Sequence, residues 1–145
     1  MSSITDATRA VVADYVRALQ TGDAAALRAA FTPDATWTLP GDLPVSGTWV
    51  GPEGILDDFL ARMVARLDPT APVEQELHRI VADGDVAVAE WTSTARSVAG
   101  VAYRNDYAVV FRVQDGRIAA VTEYTDLDHM RRVLFPETVG SLERA

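Results

Sequence analysis

The sequence contains no cysteine, which excludes disulfides, a thiol nucleophile and cysteine-based metal sites. It also has no apolar run long enough to cross a bilayer and no visible signal-peptide pattern, so we expect a cytoplasmic protein with no membrane partner. Positive charge is scarce, because 13 basic residues face 21 acidic ones and the net charge is −8. This balance argues against a nucleic-acid partner and against anionic membranes.

The chain is long enough to form one domain with its own hydrophobic core. It has 145 residues, of which 48% are hydrophobic and 23% charged, as is usual for a soluble globular protein. No repeat, low-complexity segment or linker divides it. We therefore predict a single domain over residues 1–145, in which residues 136–145 form a loose C-terminal tail.

The first 31 residues have the pattern of two helices. Apolar residues recur at helical spacing up to about Gln20, with Ser3 or Thr5 as the N-cap. The helix ends at Thr21-Gly22, and Asp23 can cap a second, short helix that reaches Phe31.

A strand, a loop and a third helix follow. Residues 35–39 alternate between apolar and polar, as in a strand, whereas residues 40–51 hold three glycines and two prolines and indicate a loop. Pro52 suits the first turn of a third helix, whose broad apolar stripe extends to Leu67.

The second half is predicted to be almost entirely strand. Residues 73–82 and 86–98 have strand patterns, residues 103–126 form a long hairpin, and residues 128–134 form a short helix. The fold class is therefore α+β, with three helices packed on the concave face of a cone-shaped, curved antiparallel sheet.

The hairpin contains one carboxylate in an unusual place. Glu123 lies in the middle of the second strand, among β-branched and aromatic residues. A charge on a strand that must bury one face either points to water or is held in a pocket, where its pKa would change.

The register of the hairpin decides between these alternatives. A two-residue Asp115-Gly116 turn pairs Glu123 with Ala108, whereas a three-residue loop with a bulge at Gly116 pairs Glu123 with Tyr107. The two registers put Glu123 on opposite faces of the sheet, and the pattern alone leaves both open.

Two segments resemble the nuclear-transport-factor-2-like superfamily, and within it the SnoaL-like group related to ketosteroid isomerases, polyketide cyclases and limonene epoxide hydrolases. They are DYVRALQTGDAAALRAAFTPDATW, residues 14–37, and YRNDYAVVFRVQDGRIAAVTEYTDL, residues 103–127. The resemblance covers residues 5–134 and implies the cone-shaped fold, but this fold carries many activities.

The resemblance transfers few catalytic residues. Tyr15 matches the oxyanion-binding tyrosine of ketosteroid isomerases, but their two aspartates fall on Leu39 and Val109. The limonene epoxide hydrolase triad is also incomplete, since only its last-strand aspartate finds a carboxylate, at Glu123. The resemblance therefore implies neither activity by its usual mechanism. It does favour the bulged register, with Glu123 inside.

The resemblance implies a small-molecule pocket with apolar walls and a few convergent polar groups. We predict Glu123 as the general acid or base, with Tyr15, Tyr107 and Asn105 as its polar partners. The predicted substrate-binding residues are Trp37, Leu39, Phe59, Met63, Trp91, Ser93, Val109, Phe111 and Val121. His78 and His129 lie outside any cluster with ligand spacing, so neither a metal nor another cofactor is predicted.

Three functions remain open from the sequence. The first is a cofactor-independent isomerase, cyclase, dehydratase or epoxide hydrolase acting on a hydrophobic molecule. The second is a non-catalytic binder of an apolar ligand, and the third is a protein whose cavity is filled by its own aromatic residues. The outer sheet face near Ala108, Val110, Ile118 and Ala120 is apolar enough to predict a homodimer.

Overall fold

A computed structural model describes residues 3–140 of the chain and confirms the α+β class with a curved, open sheet. The elements in chain order are α1 (Ile4–Thr21), α2 (Ala24–Ala29), β1 (Phe31–Leu39), β2 (Gly47–Val50), a π-helix (Glu53–Leu60), α3 (Ala61–Val64), β3 (Glu74–Asp83), β4 (Val86–Arg96), β5 (Ala102–Gln114), β6 (Arg117–Thr125), α4 (Leu127–Leu134) and a short 3-10 helix (Pro136–Thr138).

The helices begin where their capping residues predict. Ser3 caps α1 through a reciprocal capping box with Asp6, so Ser3 rather than Thr5 is the N-cap. Asp23 and Asp126 accept hydrogen bonds from Ala26 N–H and His129 N–H at the starts of α2 and α4. These side-chain oxygens satisfy backbone donors that the first helical turn leaves unpaired.

The sheet has six strands in the order β2-β1-β6-β5-β4-β3. All neighbours are antiparallel except β1 and β6, which run parallel, with Trp37 opposite Val121. The prediction of an entirely antiparallel sheet is therefore wrong at one pairing. It also missed β2, which pairs with β1 inside the segment predicted as a loop.

The third helix is present but is not a regular α-helix. Residues Glu53–Leu60 form a π-helix, and only Ala61–Val64 continue it as an α-helix. The apolar stripe predicted a helix with a buried face, and Ile55 and Phe59 are indeed buried. The pattern did not distinguish the i→i+5 hydrogen bonds of a π-helix from the i→i+4 bonds of an α-helix. π-Helical segments are rare and are often found at functional sites.

The central hairpin has the two-residue turn of the first predicted alternative, but a bulge changes the pairing beyond it. Asp115 and Gly116 form a two-residue turn with φ of 50° and 77°, and Gln114 pairs with Arg117. A bulge then adds Ala119 to β6, between the pairs Val113–Ile118 and Arg112–Ala120.

The bulge determines which face each side chain of β6 occupies. One extra residue reverses the alternation set by the two-residue turn, so Glu123 pairs with Val109 and is buried. The predicted Tyr107–Glu123 pair is wrong, since Tyr107 faces Thr125. Tyr124 is 52% exposed on the other face. The inward orientation of Glu123 was therefore predicted for the wrong structural reason.

The core lies between the helices and the concave face of the sheet. It contains Val12 and Val16 of α1, Trp37 and Leu39 of β1, and Phe111 of β5, all of which are buried. In the described part of the chain no helix covers the outer face, which displays the half-buried Ala108, Val110 and Ala120.

Ile118 was predicted for that outer face but is fully buried in the core. The bulge at Ala119 is the reason, because it separates Ile118 from the alternation that places Ala120 outside.

The segment after α4 is held against the domain rather than loose. In the 3-10 helix, Glu137 forms an ion pair with Arg66 at 2.5 Å, and Thr138 accepts a hydrogen bond from the buried Arg131. Arg131 also pairs with Asp42 and so ties the segment after β1 to α4. The predicted tail is thus wrong for residues 136–138, and residues 141–145 lie outside the described part.

Gly41, close to this ion pair, has a φ of 97°, and a Cβ there would lie 2.6 Å from Leu127 Cδ1. Both the backbone angle and the close packing require glycine. Within residues 3–140, the structure contains no helix long and apolar enough to cross a membrane.

Candidate functional site

A cavity of about 540 Å³ lies between α1, the third helix and the concave face of the sheet. This volume is within the range of small-molecule sites in proteins. Most of its walls are apolar, with Leu19, Leu27, Ile55, Leu56, Phe59, Leu60, Met63, Val64, Leu67, Val73, Ala95 and Leu134 among the lining residues. An open cavity of this size disfavours the hypothesis that aromatic residues fill the interior.

The cavity wall includes polar groups from four elements. Glu123 comes from β6, Tyr15 from α1, Tyr103 and Tyr107 from β5, and Ser93 from β4. Exposed or half-exposed residues, including Gly22, Asp68, Pro69 and Gln75, line the cavity where it meets the surface.

Glu123 is the buried carboxylate of the cavity, with only 7% of the residue exposed. Its side chain makes no hydrogen bond to any residue between 3 and 140. Burial penalises the charged form and raises the pKa of Glu123 from 4.5 to about 7, while the nearby Trp37 indole N–H acts in the opposite direction. The carboxyl group therefore changes charge near neutral pH, as a general acid or base requires.

Trp37 projects from β1 next to Glu123 of the parallel strand β6. Its indole is 4% exposed and packs against the rings of Tyr15, Phe59 and Phe111, with centroids 5.9 to 6.4 Å apart. Its Nε1 is the one buried side-chain polar atom in residues 3–140 without a hydrogen-bond partner. The N–H thus lies close enough to lower the pKa of Glu123, but outside hydrogen-bond geometry.

Tyr15 occupies the predicted place on α1, at the cavity wall. Its ring packs edge-on against Phe31, and burial together with the nearby Glu123 carboxylate raises its pKa. The hydroxyl therefore remains protonated at neutral pH and can donate a hydrogen bond.

Two tyrosines of β5 form the other polar part of the wall. The hydroxyls of Tyr103 and Tyr107 lie 2.6 Å apart. Burial raises the pKa of Tyr103 to about 12 and the pKa of Tyr107 well above its usual value, and the Glu123 carboxylate adds to both effects. Both groups are protonated donors at neutral pH.

Asn105 does not line the cavity, in contrast to the prediction. Its side chain is buried and donates to Tyr103 Oη at 2.9 Å and to the Asp126 carbonyl oxygen at 3.0 Å. The amide therefore orients the two tyrosines and cannot contact a ligand directly. Tyr103 lines the cavity in place of Asn105, and the prediction missed it. The strand alternation contained the signal, because residues 103, 105 and 107 lie on the same face of a strand.

Trp91 and Ser93 reach the cavity as predicted. The Trp91 ring stacks on Tyr107 at 5.8 Å with an angle of 11° between planes, and its Nε1–H donates to Ser93 Oγ at 3.2 Å. These contacts satisfy the indole and fix the plane of the Tyr107 ring.

The predicted substrate-binding residues divide into two groups. Trp37, Phe59, Met63, Trp91 and Ser93 line the cavity. Leu39, Val109, Phe111 and Val121 do not line it, because they are almost completely buried in the core behind it. The alternation of the strands predicted their inward direction but not their depth.

The third helix supplies lining residues that the prediction left out, Ile55, Leu56, Leu60 and Val64, and Leu67 follows shortly after its end. The apolar stripe contained the signal, since a stripe broader than one packed face can also border a cavity.

The two histidines have structural partners on other surfaces. His78 Nε2 lies 2.7 Å from Thr92 Oγ1, which donates to Asp106, and the His129 ring stacks on Tyr103. Across residues 3–140, no three histidine, aspartate or glutamate side chains are grouped as metal ligands.

The chain belongs to the SnoaL-like domain family, which matches residues 12–121. The resemblance predicted from the two sequence segments is thereby confirmed. No curated protein matches the sequence.

Solved structures share the fold at low identity. A candidate SnoaL-like polyketide cyclase from Jannaschia sp. CCS1 has a TM-score of 0.77 at 16% identity, over 92% of this chain and 95% of its own. TerC, co-crystallised with polyporic acid, has a TM-score of 0.78 at 19% identity, over 89% and 98%. A candidate ketosteroid isomerase from Kribbella flavida DSM 17836 has a TM-score of 0.66 at 21% identity, over 83% and 78%. At these identities the likeness establishes the fold alone.

Proposed function

We propose that this protein is a cofactor-independent enzyme that acts on a hydrophobic small molecule by general acid–base catalysis at Glu123. The observation that supports this most directly is one carboxyl group, buried at the wall of an apolar cavity, with a pKa of about 7. Protein interiors rarely keep a carboxyl group without a hydrogen-bonding partner unless it has a function. Isomerases and cyclases are among the activities found in proteins of this family.

The arrangement suggests a division of roles. Glu123 would remove a proton from a carbon next to a carbonyl, or from a water molecule, and return it at a later step. Tyr15 and Tyr107 would donate hydrogen bonds to the oxygen on which negative charge develops. Asn105 would act indirectly by holding the Tyr103–Tyr107 pair in place.

The apolar lining supports the choice of a hydrophobic substrate. Among the aromatic rings that line the cavity, those of Trp37, Phe59 and Trp91 come from three different elements: β1, the third helix and β4. Flat or polycyclic molecules fit between such walls and gain from burial of their surface. TerC, which shares the fold, was crystallised with polyporic acid, and a comparable ligand class is part of this proposal.

A proton-exchange assay tests the catalytic role without knowledge of the natural substrate. β-Tetralone, a bicyclic aromatic ketone with an acidic C–H group, is incubated with the protein in deuterium oxide, and deuterium uptake is followed by proton NMR. We expect Glu123→Gln to lower the protein-catalysed rate on the order of 10²–10⁴-fold, because glutamine keeps the shape but cannot accept the proton.

Glu90→Gln is the matched control. Glu90 is also a glutamate within a strand, but it lies on the outer face and forms an ion pair with Arg79. It should leave the exchange rate unchanged. If base catalysis by Glu123 sets the rate, the rate should also rise with pH and reach half its maximum near pH 7. Equal exchange rates for the wild type and Glu123→Gln would refute the catalytic role.

A non-catalytic binder of an apolar ligand is the second candidate. It is favoured by the absence, within residues 3–140, of any hydrogen bond that orients the Glu123 carboxyl group, whereas catalytic bases are usually held by a neighbour. For a binder, Glu123→Gln would change ligand affinity modestly, and no exchange above the background rate would occur with either protein.

A further inference from the structure

The most unusual polar atom in the structure is the indole nitrogen of Trp37. Trp37 Nε1 has no hydrogen-bond partner, whereas the other two indoles are satisfied: Trp49 Nε1 donates to the Val45 carbonyl and Trp91 Nε1 to Ser93 Oγ. A buried N–H without an acceptor is destabilising, so such groups need an explanation.

The position of Trp37 in the sheet indicates what its N–H can reach. Trp37 is paired with Val121 in the parallel β1–β6 ladder, and Glu123 lies two residues after Val121 on the same, inward face. The neighbouring carboxyl group is likewise without a hydrogen bond within the described residues. One unpaired donor and one unpaired acceptor therefore lie side by side on adjacent strands.

The indole is the fixed member of this pair. Four aromatic rings surround it, from Tyr15, Phe31, Phe59 and Phe111, with centroid distances between 5.9 and 6.4 Å. Close packing of this kind holds the ring and hence the direction of the N–H bond. Glu123, in contrast, borders the cavity and has free rotatable bonds with which its carboxyl group can move.

We infer that Trp37 is a positioning residue for Glu123: its N–H donates to the carboxylate when Glu123 is ionised and loses this partner when Glu123 takes up a proton. A carboxylate is a stronger acceptor than a neutral carboxyl group, so the contact shortens in the charged form. The role within the reaction depends on the proposed function, but the hydrogen bond itself does not.

The other groups that face Glu123 are Tyr15 from α1 and Tyr103 and Tyr107 from β5, and in all three the charge of Glu123 raises the pKa. Within residues 3–140, none of these hydroxyls is hydrogen-bonded to Glu123, and those of Tyr103 and Tyr107 are bonded to each other. Asp68 is the other carboxylate lining the cavity, and it lies where the cavity meets the surface and bonds to Thr70. Among residues 3–140, no lysine, arginine or histidine lines the cavity.

The first experiment uses the unaltered protein and NMR. The side-chain carboxyl carbon of Glu123 is followed from pH 5 to 9 with labelled glutamate, and its signal is assigned with Glu123→Gln. In the same samples the indole N–H signals are recorded, with Trp49→Phe and Trp91→Phe for assignment. We expect the Trp37 N–H signal to move downfield as Glu123 ionises, with the same midpoint. A Trp37 signal that does not titrate with Glu123 would overturn the inference.

The second experiment removes the donor. Trp37→Phe keeps an aromatic ring among the surrounding rings but has no N–H, so the Glu123 midpoint should rise by roughly one pH unit. Trp49→Phe is the matched control, because Trp49 does not line the cavity and its N–H is already bonded to the Val45 carbonyl, and its midpoint should equal that of the wild type. An unchanged or lower midpoint in Trp37→Phe also contradicts the inference.

These readouts separate the inference from the proposed function. If the protein exchanges deuterium into β-tetralone, the low-pH limb of its rate profile should shift in Trp37→Phe by the same amount as the NMR midpoint. If no exchange occurs in any variant, the catalytic proposal fails, while the two NMR experiments still decide whether Trp37 holds Glu123.

Discussion

Glu123 couples the stability of the fold to pH. Its pKa is 4.5 when freely hydrated and about 7 in the folded protein, because burial disfavours the charged carboxylate. Between these values the folded state binds more protons than the unfolded state. The stability that this difference contributes is fully present below pH 4.5 and is lost as the pH rises through 7.

We therefore predict a pH-dependent difference between the wild type and Glu123→Gln. Glutamine does not titrate, so the free energy of unfolding of the wild type relative to the variant should fall by about 3 kcal/mol between pH 4 and pH 8. Urea denaturation of both proteins at several pH values measures this. A difference that stays constant across the range would mean that the folded carboxyl group is not desolvated.

At the scale of elements, the turn and bulge of the β5–β6 hairpin determine where the chemistry is presented. Asp115 and Gly116 both have positive φ, which is the geometry of the tight turn that matches the twist of paired strands. Ala119 then shifts the register by one residue and turns Glu123 inward. A small local feature thus decides whether the cavity contains a carboxylate.

Gly116→Ala should destabilise the protein by about 1–2 kcal/mol, because alanine is strained at a φ of 77°. A Cβ at Gly116 meets no atom within 4 Å, so the expected loss of stability comes from the backbone alone.

Gly54→Ala is the opposite case. It lies in the π-helix, its Cβ would make only an ordinary 3.8 Å contact, and the change should be neutral or stabilise by up to about 1 kcal/mol. Thermal denaturation compares the two; a Gly116→Ala variant as stable as the wild type would contradict the strain argument.

At the scale of the whole molecule, the outer face of the sheet is left uncovered by the helices of residues 3–140. Val81 and Tyr124 on this face are 60% and 52% exposed, Val88 and Val110 lie in the same row as Val81, and Ala120 shares β6 with Tyr124. Exposed apolar side chains on an open sheet face are typical of a protein–protein interface. We expect a homodimer formed through this face, with Ile118 excluded from it.

Light scattering at micromolar concentration tests the dimer. Val110→Arg places a charge in the middle of the face, and burying it in the interface without a partner is costly, so the variant should be monomeric. Val98→Arg is the control, since Val98 is 66% exposed beyond the end of β4 and away from the face, and it should leave the mass unchanged. A wild-type protein that is monomeric under these conditions would refute the prediction.

The sequence by itself determined the features that depend on neighbouring residues. Helix starts at Ser3, Asp23 and Asp126 follow from side chains that cap the next turn of backbone. The Asp115-Gly116 turn follows from the ease with which these residues adopt positive φ. The α+β class and the family followed from the order of such elements.

Only the tertiary structure decided the features that depend on distant segments. The bulge at Ala119 is accompanied by a hydrogen bond from Ile118 N–H to the Ala30 carbonyl, and the parallel β1–β6 pairing brings together segments about 85 residues apart. Neither leaves a periodic signal in the sequence. The same pairing places Trp37 beside Glu123. The sequence supplied both residues, but their role as neighbours arises from strand pairing across the fold.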